Sequence, residues 1–376
     1  MTKNTKIFVT QPSLSPLKEL IPYLEEIWES KILTNGGKFH QQFEAELCSH
    51  LGVEHISLFN NGTIALMTAL KVLDLSGEVI TTPYSFIATS HSISWCNLTP
   101  VFVDIDPSTM NLDPEKIEAA ITPKTTAILA VHCYGVPCDV ESIQKIATKY
   151  GLKVIYDAAH AFDVRNEMGS ILKYGDFSVL SFHATKVFNT FEGGAIICPS
   201  AEMKRLIDSS KNHGYLDELT INSLGLNGKL TEINAAFGLV QLKYINELIE
   251  KRKVIDSFYR ESFKNIPGIK CLEYPARIRN NYSYFVISVE NNYPSSRDEL
   301  LQILAKKNII ARRYFYPLIS DYGYYSSLES ANPNNLPIAK EISNKILCLP
   351  IYSNLDLVIQ EEIISIIRNG SLCIYE

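Results

Sequence analysis

Between residues 56 and 182 the chain repeats short apolar runs of strand length, most of them ending in polar residues. They are Ile56-Ser-Leu-Phe59, Val79-Ile80-Thr81-Thr82-Pro83, Pro100-Val-Phe-Val103, Ile128-Leu-Ala-Val131, Val154-Ile155-Tyr156 and Phe177 to Phe182. Helical patterns lie among them: Ile64, Leu66, Met67, Leu70 and Leu73 follow the first, and helices at 115–121 and 140–150 precede the fourth and fifth. Strand, helix, strand, helix in steps of about 25 to 30 residues predicts a mainly parallel sheet covered by helices, an α/β fold. Ligands of such sheets sit at the carboxyl ends of the strands. No G-x-G-x-x-G follows a strand, so the dinucleotide fingerprint is missing.

The flanks extend this pattern. Leu17, Leu20, Ile21, Leu24, Ile27 and Trp28 predict an amphipathic helix, and a second helix runs through Phe43, Leu47 and Leu51. The turn between them ends in Gly36-Gly37-Lys38, which could cradle a phosphate or be a plain turn. After Ile197 come helices at 203–210 and 234–252, separated by a Gly- and Asn-rich stretch from Gly214 to Lys229 that suits an active-site or interface loop. Beyond about residue 250 strands at 282–289 and 309–316 and helices at 297–307 and 360–369 suggest a smaller α+β domain. With 376 residues, a large domain over 1–250 and a small one over 251–376 is the expected division.

A net charge of -6 and the lack of a Lys/Arg run argue against nucleic-acid binding. No apolar run is long enough to span a bilayer, and Met1-Thr-Lys-Asn-Thr-Lys-Ile is too polar for a signal peptide. The eight cysteines run from Cys48 to Cys373 without a CxxC pair, and Cys133 and Cys138 beside His132 lack further metal ligands at a fitting spacing. Free thiols, no metal and a cytoplasmic location are expected.

Chemistry concentrates between Lys153 and Gly194. Asp157 closes one apolar strand, Ser181 lies in the next, and Lys186 follows shortly after, before Glu192-Gly193-Gly194. A carboxylate at a buried strand end is costly unless something cationic pairs with it. A pyridinium nitrogen is such a partner, and a nearby lysine amine forms a Schiff base with an aldehyde. Together these are the needs of pyridoxal phosphate. Lys186 would then serve as the covalent anchor and afterwards as a proton-transfer base. Asn60-Asn61-Gly62-Thr63 opens a helix, so Gly62 and Thr63 either hold a phosphate at its positive end or simply cap it. Phe86, just past a strand, is a core residue or a ring-stacking one. His160 hydrogen-bonds the cofactor's phenolic oxygen, packs on the ring, or is structural. His183 and Glu192 take no assigned role.

These residues carry a family resemblance. Tyr156-Asp157-Ala-Ala-His160-Ala, Ser181-Phe-His-Ala-Thr-Lys186 and Glu192-Gly-Gly-Ala-Ile resemble the DegT/StrS group of nucleotide-sugar aminotransferases, as do Asn61-Gly62-Thr63-Ile-Ala-Leu and Thr82-Pro83-Tyr-Ser-Phe86-Ile-Ala-Thr89. The resemblance covers nearly the whole chain and implies the type I (aspartate aminotransferase) fold with pyridoxal 5'-phosphate. It implies Lys186 on the aldehyde, Asp157 on the pyridine nitrogen, Gly62, Thr63 and Ser181 at the phosphate, and Phe86 and His160 against the ring. Gly225-Leu-Asn227-Gly228-Lys229 resembles the family's G-x-N-x-R segment, which implies that Asn227 is donated by the other subunit of a homodimer with shared active sites. Lys229 stands where the family has arginine; with Lys38, Arg312 and Arg313 it is a candidate for substrate anions.

The His-Ala-Thr-Lys form resembles members that aminate a sugar at C4, whereas C3 enzymes more often carry Tyr-Pro-Gly-Lys. The expected reaction moves the amino group of L-glutamate to a nucleotide-linked 4-keto-6-deoxy sugar, dTDP-4-keto-6-deoxy-D-glucose, for surface polysaccharide biosynthesis. A 3-keto or UDP-linked sugar is the alternative. A dehydratase on the same fold would have histidine in place of Lys186, and a non-catalytic binding protein has no need of the Asp157/Lys186 pair.

Overall fold

The computed structural model describes residues 6–221 and 223–370, so Met1 to Thr5, Asn222 and Cys373 lie outside the described residues. Seven strands form the central sheet: β1 (His55–Phe59), β2 (Glu78–Thr81), β3 (Thr99–Phe102), β4 (Thr125–Val131), β5 (Lys153–Asp157), β6 (Phe177–Ser181) and β7 (Gly194–Cys198). Their order is β1-β7-β6-β5-β4-β2-β3, and only β7 runs against the others. The expected parallel sheet is therefore present, with one antiparallel strand inserted between β1 and β6.

The helices on this sheet, or packed on the helices that cover it, are α1 (Leu17–Ser30), α2 (Lys38–Leu51), α3 (Gly62–Val72), α4 (Ala88–Trp95), α5 (Val140–Tyr150), α6 (Ala201–Ser210) and α7 (Glu232–Phe263). Strand residues alternate between two packed faces. Ile155, Phe177 and Val179 join the cluster with Leu66, Ala69 and Leu70 of α3, while Val154 and Tyr156 join Ile143 and Ala147 of α5. Burial on both faces explains the near-continuous apolar runs. Helix α4 has no counterpart in the sequence pattern, and the 115–121 helix is a single α turn, Pro114–Ile117, with a 3-10 turn behind it.

A second core surrounds the antiparallel sheet β8 (Ile269–Cys271), β9 (Phe285–Val289) and β10 (Ile346–Leu349), with α8 (Arg297–Lys306), α9 (Pro337–Lys345) and α10 (Leu357–Asn369). Helix α7 serves both cores: Ala235 to Ile249 pack in the first, Ile255, Tyr259 and Phe263 in the second. Residue 250 thus falls inside an unbroken helix. Ile7 also belongs to the second core, through its parallel pairing with Ile309. The strand expected at 309–316 is cut to the parallel pairing of Ile309–Ile310 and a single antiparallel bridge from Arg312 to Cys348, after which the chain turns so that Tyr314 and Phe315 line a cavity. On α1 the apolar stripe is split: Leu20 and Ile27 are buried, yet Leu17, Ile21 and Trp28 are exposed.

Candidate active site

The ends of β5 and β6 and the start of α3 meet at a cavity of about 660 Å³. Gly62, Thr63, Phe86, Asp157, His160, Ser181 and Lys186 all line it, joined by Ser85, His183, Glu192, Tyr284, Tyr314 and Phe315. A larger, more open groove of about 970 Å³ beside α7, around Arg260 and Lys345, holds none of these groups. Register explains the convergence. Asp157 pairs with Val131 and Val179, while Gly194 pairs with both Ser181 and Phe59, which sets Ser181 beside the loop that opens α3.

The Asp157 carboxylate is buried. Thr89 Oγ1, on the first turn of α4, donates to Oδ2 at 2.8 Å, and the Ala159 amide donates to Oδ1 at 3.1 Å. Ser85 Oγ lies 2.8 Å from Thr89 Oγ1. An ionised carboxylate only accepts, so Thr89 donates to it and Ser85 donates to Thr89. Burial pushes the Asp157 carboxyl above its ordinary range, opposed by the Thr89 and Ala159 hydrogen bonds and the Lys186 charge. Burial likewise lowers the Lys186 amine to about 8, with the Asp157 charge acting against the fall. Lys186 as a whole residue is half-buried. An amine so placed is neutral often enough to act as a nucleophile.

Both nitrogens of His160 are engaged: the Tyr134 amide donates to Nδ1 at 3.1 Å, and the Tyr284 hydroxyl oxygen lies 3.4 Å from Nε2. Burial, reinforced by the Lys186 charge, holds the imidazole neutral. Of the options left open by the sequence, packing by the ring fits this engagement better than a hydrogen bond from a free nitrogen.

At the start of α3 the cap is Asn61, whose Oδ1 accepts the Ile64 amide at 2.8 Å, and not Thr63. Thr63 keeps its hydroxyl, and the Gly62 and Thr63 amides find no acceptor among the described residues. A Cβ on Gly62 would sit 3.0 Å from Ser181 Cβ, so glycine permits the close approach of α3 to β6. Two amides at a helix N-terminus, with hydroxyls from Thr63 and Ser181, suit a phosphate. Phe86 is 60% exposed, at this cavity and not in the core.

The remaining candidates are not brought into the cavity. Lys38 is exposed and paired with Glu26. The Gly36-Gly37-Lys38 turn offers no phosphate cradle, because Glu232 already accepts the Phe39 and His40 amides at 2.8 and 3.1 Å. Gly37 is needed there, since a Cβ would meet Glu232 Cδ at 2.7 Å. Lys229 donates to Asn212 Oδ1 at 2.6 Å, Asn227 is exposed, and Arg313 pairs with Asp298 at 3.1 Å. Arg312 is exposed. Sequence reasoning missed Thr89, although it lies in the segment around Phe86 that carries the family resemblance. Tyr284, Tyr314 and Phe315 carried no sequence signal for this site.

A buried carboxylate, a desolvated lysine and a phosphate cradle in one cavity fit pyridoxal phosphate, and this fold with this site defines a pyridoxal-phosphate-dependent aminotransferase. The chain belongs to the DegT/DnrJ/EryC1/StrS aminotransferase family, whose sequence profile matches residues 16–368. It is 57% identical to a dTDP-4-amino-4,6-dideoxy-D-glucose transaminase of Shigella dysenteriae, over 96% of this chain and 98% of that one. A protein of the same name from Escherichia coli is 57% identical over 93% and 94% of the two chains. The fold is similar to that of DesI crystallised in the presence of its TDP-sugar product, with TM-score 0.92, 31% identity and coverage of 97% and 93%. No helix among the described residues is long and apolar enough to cross a membrane.

Proposed function

We propose that this enzyme moves the amino group of L-glutamate to C4 of dTDP-4-keto-6-deoxy-D-glucose, giving dTDP-4-amino-4,6-dideoxy-D-glucose. The observation that carries the reading is the joint placement of the Lys186 amine, the Asp157 carboxylate and the Gly62–Thr63–Ser181 cradle in one cavity. The two relatives at 57% identity support the choice of sugar. Pyridoxal phosphate, when bound, supplies the electron sink that carries the amino group between substrates. Lys186 would hold its aldehyde carbon and would move a proton at the substrate carbon. Asp157 would keep the ring nitrogen protonated, Gly62, Thr63 and Ser181 would hold the phosphate, and Phe86 and His160 would pack against the ring.

The active unit in this reading is a cytoplasmic homodimer. Leu17, Ile21 and Trp28 on α1, with Leu219 and Leu224 near Asn227, form exposed apolar surface that a second copy would cover. Asn227, outside its own chain's cavity, is then donated to the phosphate of the other subunit, with Lys229 following it toward substrate anions. Arg312 is the remaining cation proposed for that task. Residues 1–250 act as the cofactor-binding domain and 251–376 as the smaller one. Mass and NMR spectra of the product from dTDP-4-keto-6-deoxy-D-glucose and L-glutamate test the assignment. An amine at C4 is expected; an unchanged sugar, or an amine elsewhere, overturns it.

A further inference from the structure

The second core supplies part of the cavity lining: Tyr284, immediately before β9, with Tyr314 and Phe315. The Tyr284 and Tyr314 rings meet edge-on at 5.8 Å, and Phe315 lies 5.5 Å from Tyr314. These side chains carry no charge, and Lys186 is the one lysine or arginine among the described residues that line the cavity. An uncharged aromatic surface suits the C–H face of a sugar better than a dicarboxylate, which calls for cations.

The direction of the Tyr284 hydroxyl follows from its neighbour. Because the Tyr134 amide donates to His160 Nδ1, that nitrogen bears no proton, and the neutral imidazole carries its single proton on Nε2. Nε2–H therefore donates to the Tyr284 oxygen at 3.4 Å. The Tyr284 proton is left over, with no acceptor among the described residues, on a side chain that lines the cavity.

We propose that Tyr284 recognises the sugar: its hydroxyl, oriented by His160, donates to an oxygen of the hexose ring while Tyr314 and Phe315 pack on the ring's C–H face. The inference rests on the nucleotide-sugar reading above. Its test compares wild-type holoenzyme with Tyr284→Phe, both carrying the amine form of the cofactor so that the amino sugar meets no aldehyde, by calorimetric titration with dTDP and with dTDP-4-amino-4,6-dideoxy-D-glucose, alongside the absorption spectrum of the bound cofactor. The dTDP-sugar should bind the variant about tenfold more weakly, the loss of one neutral hydrogen bond. Binding of dTDP alone and the cofactor spectrum should not change. Equal sugar affinity in the two proteins overturns the proposal. So does an equal loss for dTDP, which would mean general damage, or a shifted spectrum, which would mean that Tyr284 acts through His160. Wild type that does not bind the dTDP-sugar at all removes the functional reading and this inference together.

Discussion

Replacing Thr89 by valine keeps the shape of the side chain and removes the hydroxyl that donates to Asp157 Oδ2 at 2.8 Å. A hydrogen bond to a charged group contributes about 1.5–3 kcal/mol, so the Asp157 carboxyl should rise by about one to two further pKa units. The sign follows from burial. The folded-state carboxyl already lies above its ordinary value, so cofactor-free protein is stabilised in acid and loses that contribution as pH rises through the raised pKa. Thr89→Val enlarges the loss near neutral pH. At a pH low enough to protonate Asp157 in both proteins, the two should converge. Thermal unfolding of cofactor-free protein across that range reads the difference, and cofactor affinity should fall about tenfold in the variant. Thr89→Ser, which keeps the hydroxyl, should behave as wild type. A destabilisation that is the same at every pH would refute the reasoning, because it would show a packing defect and no effect on the carboxylate.

Four further outcomes are expected. Lys186→Ala should abolish turnover and the covalent cofactor band, while the protein still binds cofactor reversibly through the phosphate cradle, measurable by equilibrium dialysis. Gly62→Val places a side chain against Ser181, which a Cβ alone would approach to 3.0 Å; cofactor Kd should rise by about tenfold or more with little change in fold by circular dichroism. In cofactor-free enzyme the rate at which Lys186 captures pyridoxal phosphate should climb through about pH 8, and Asp157→Asn, which removes the charge that raises the amine, should move the climb to lower pH. Mixed dimers of Lys186→Ala with Asn227→Ala chains should regain one intact site each, so activity above that of either parent supports the shared site and no recovery contradicts it.

The strands were legible because both faces of the sheet are buried, which forces unbroken apolar runs such as Val154 to Tyr156. Asp157, Ser181 and Lys186 were legible because a polar group that closes a buried apolar run is costly unless a ligand or partner satisfies it. What stayed hidden depends on contacts distant in sequence. Glu232 fills the amide end of α2 from 193 residues away, so nothing near Gly37 announces it. Thr89 sits in a segment whose plain signal is an aromatic residue, and its worth comes only from facing Asp157. Tyr284, Tyr314 and Phe315 read as strand residues until the turn after Ile310 carries the latter two to the cavity. The antiparallel direction of β7 could not be read either, since an apolar run has the same composition in both directions. Nor did the sequence show how far α7 continues, because its later residues change partners from one core to the other without a break.

The most direct test of the account is chemical trapping. Borohydride reduction of the yellow holoenzyme, followed by digestion and mass mapping, should place a pyridoxyl group on the peptide that contains Lys186, in near-stoichiometric amount. A label on any other lysine, or none in catalytically active protein, would contradict it.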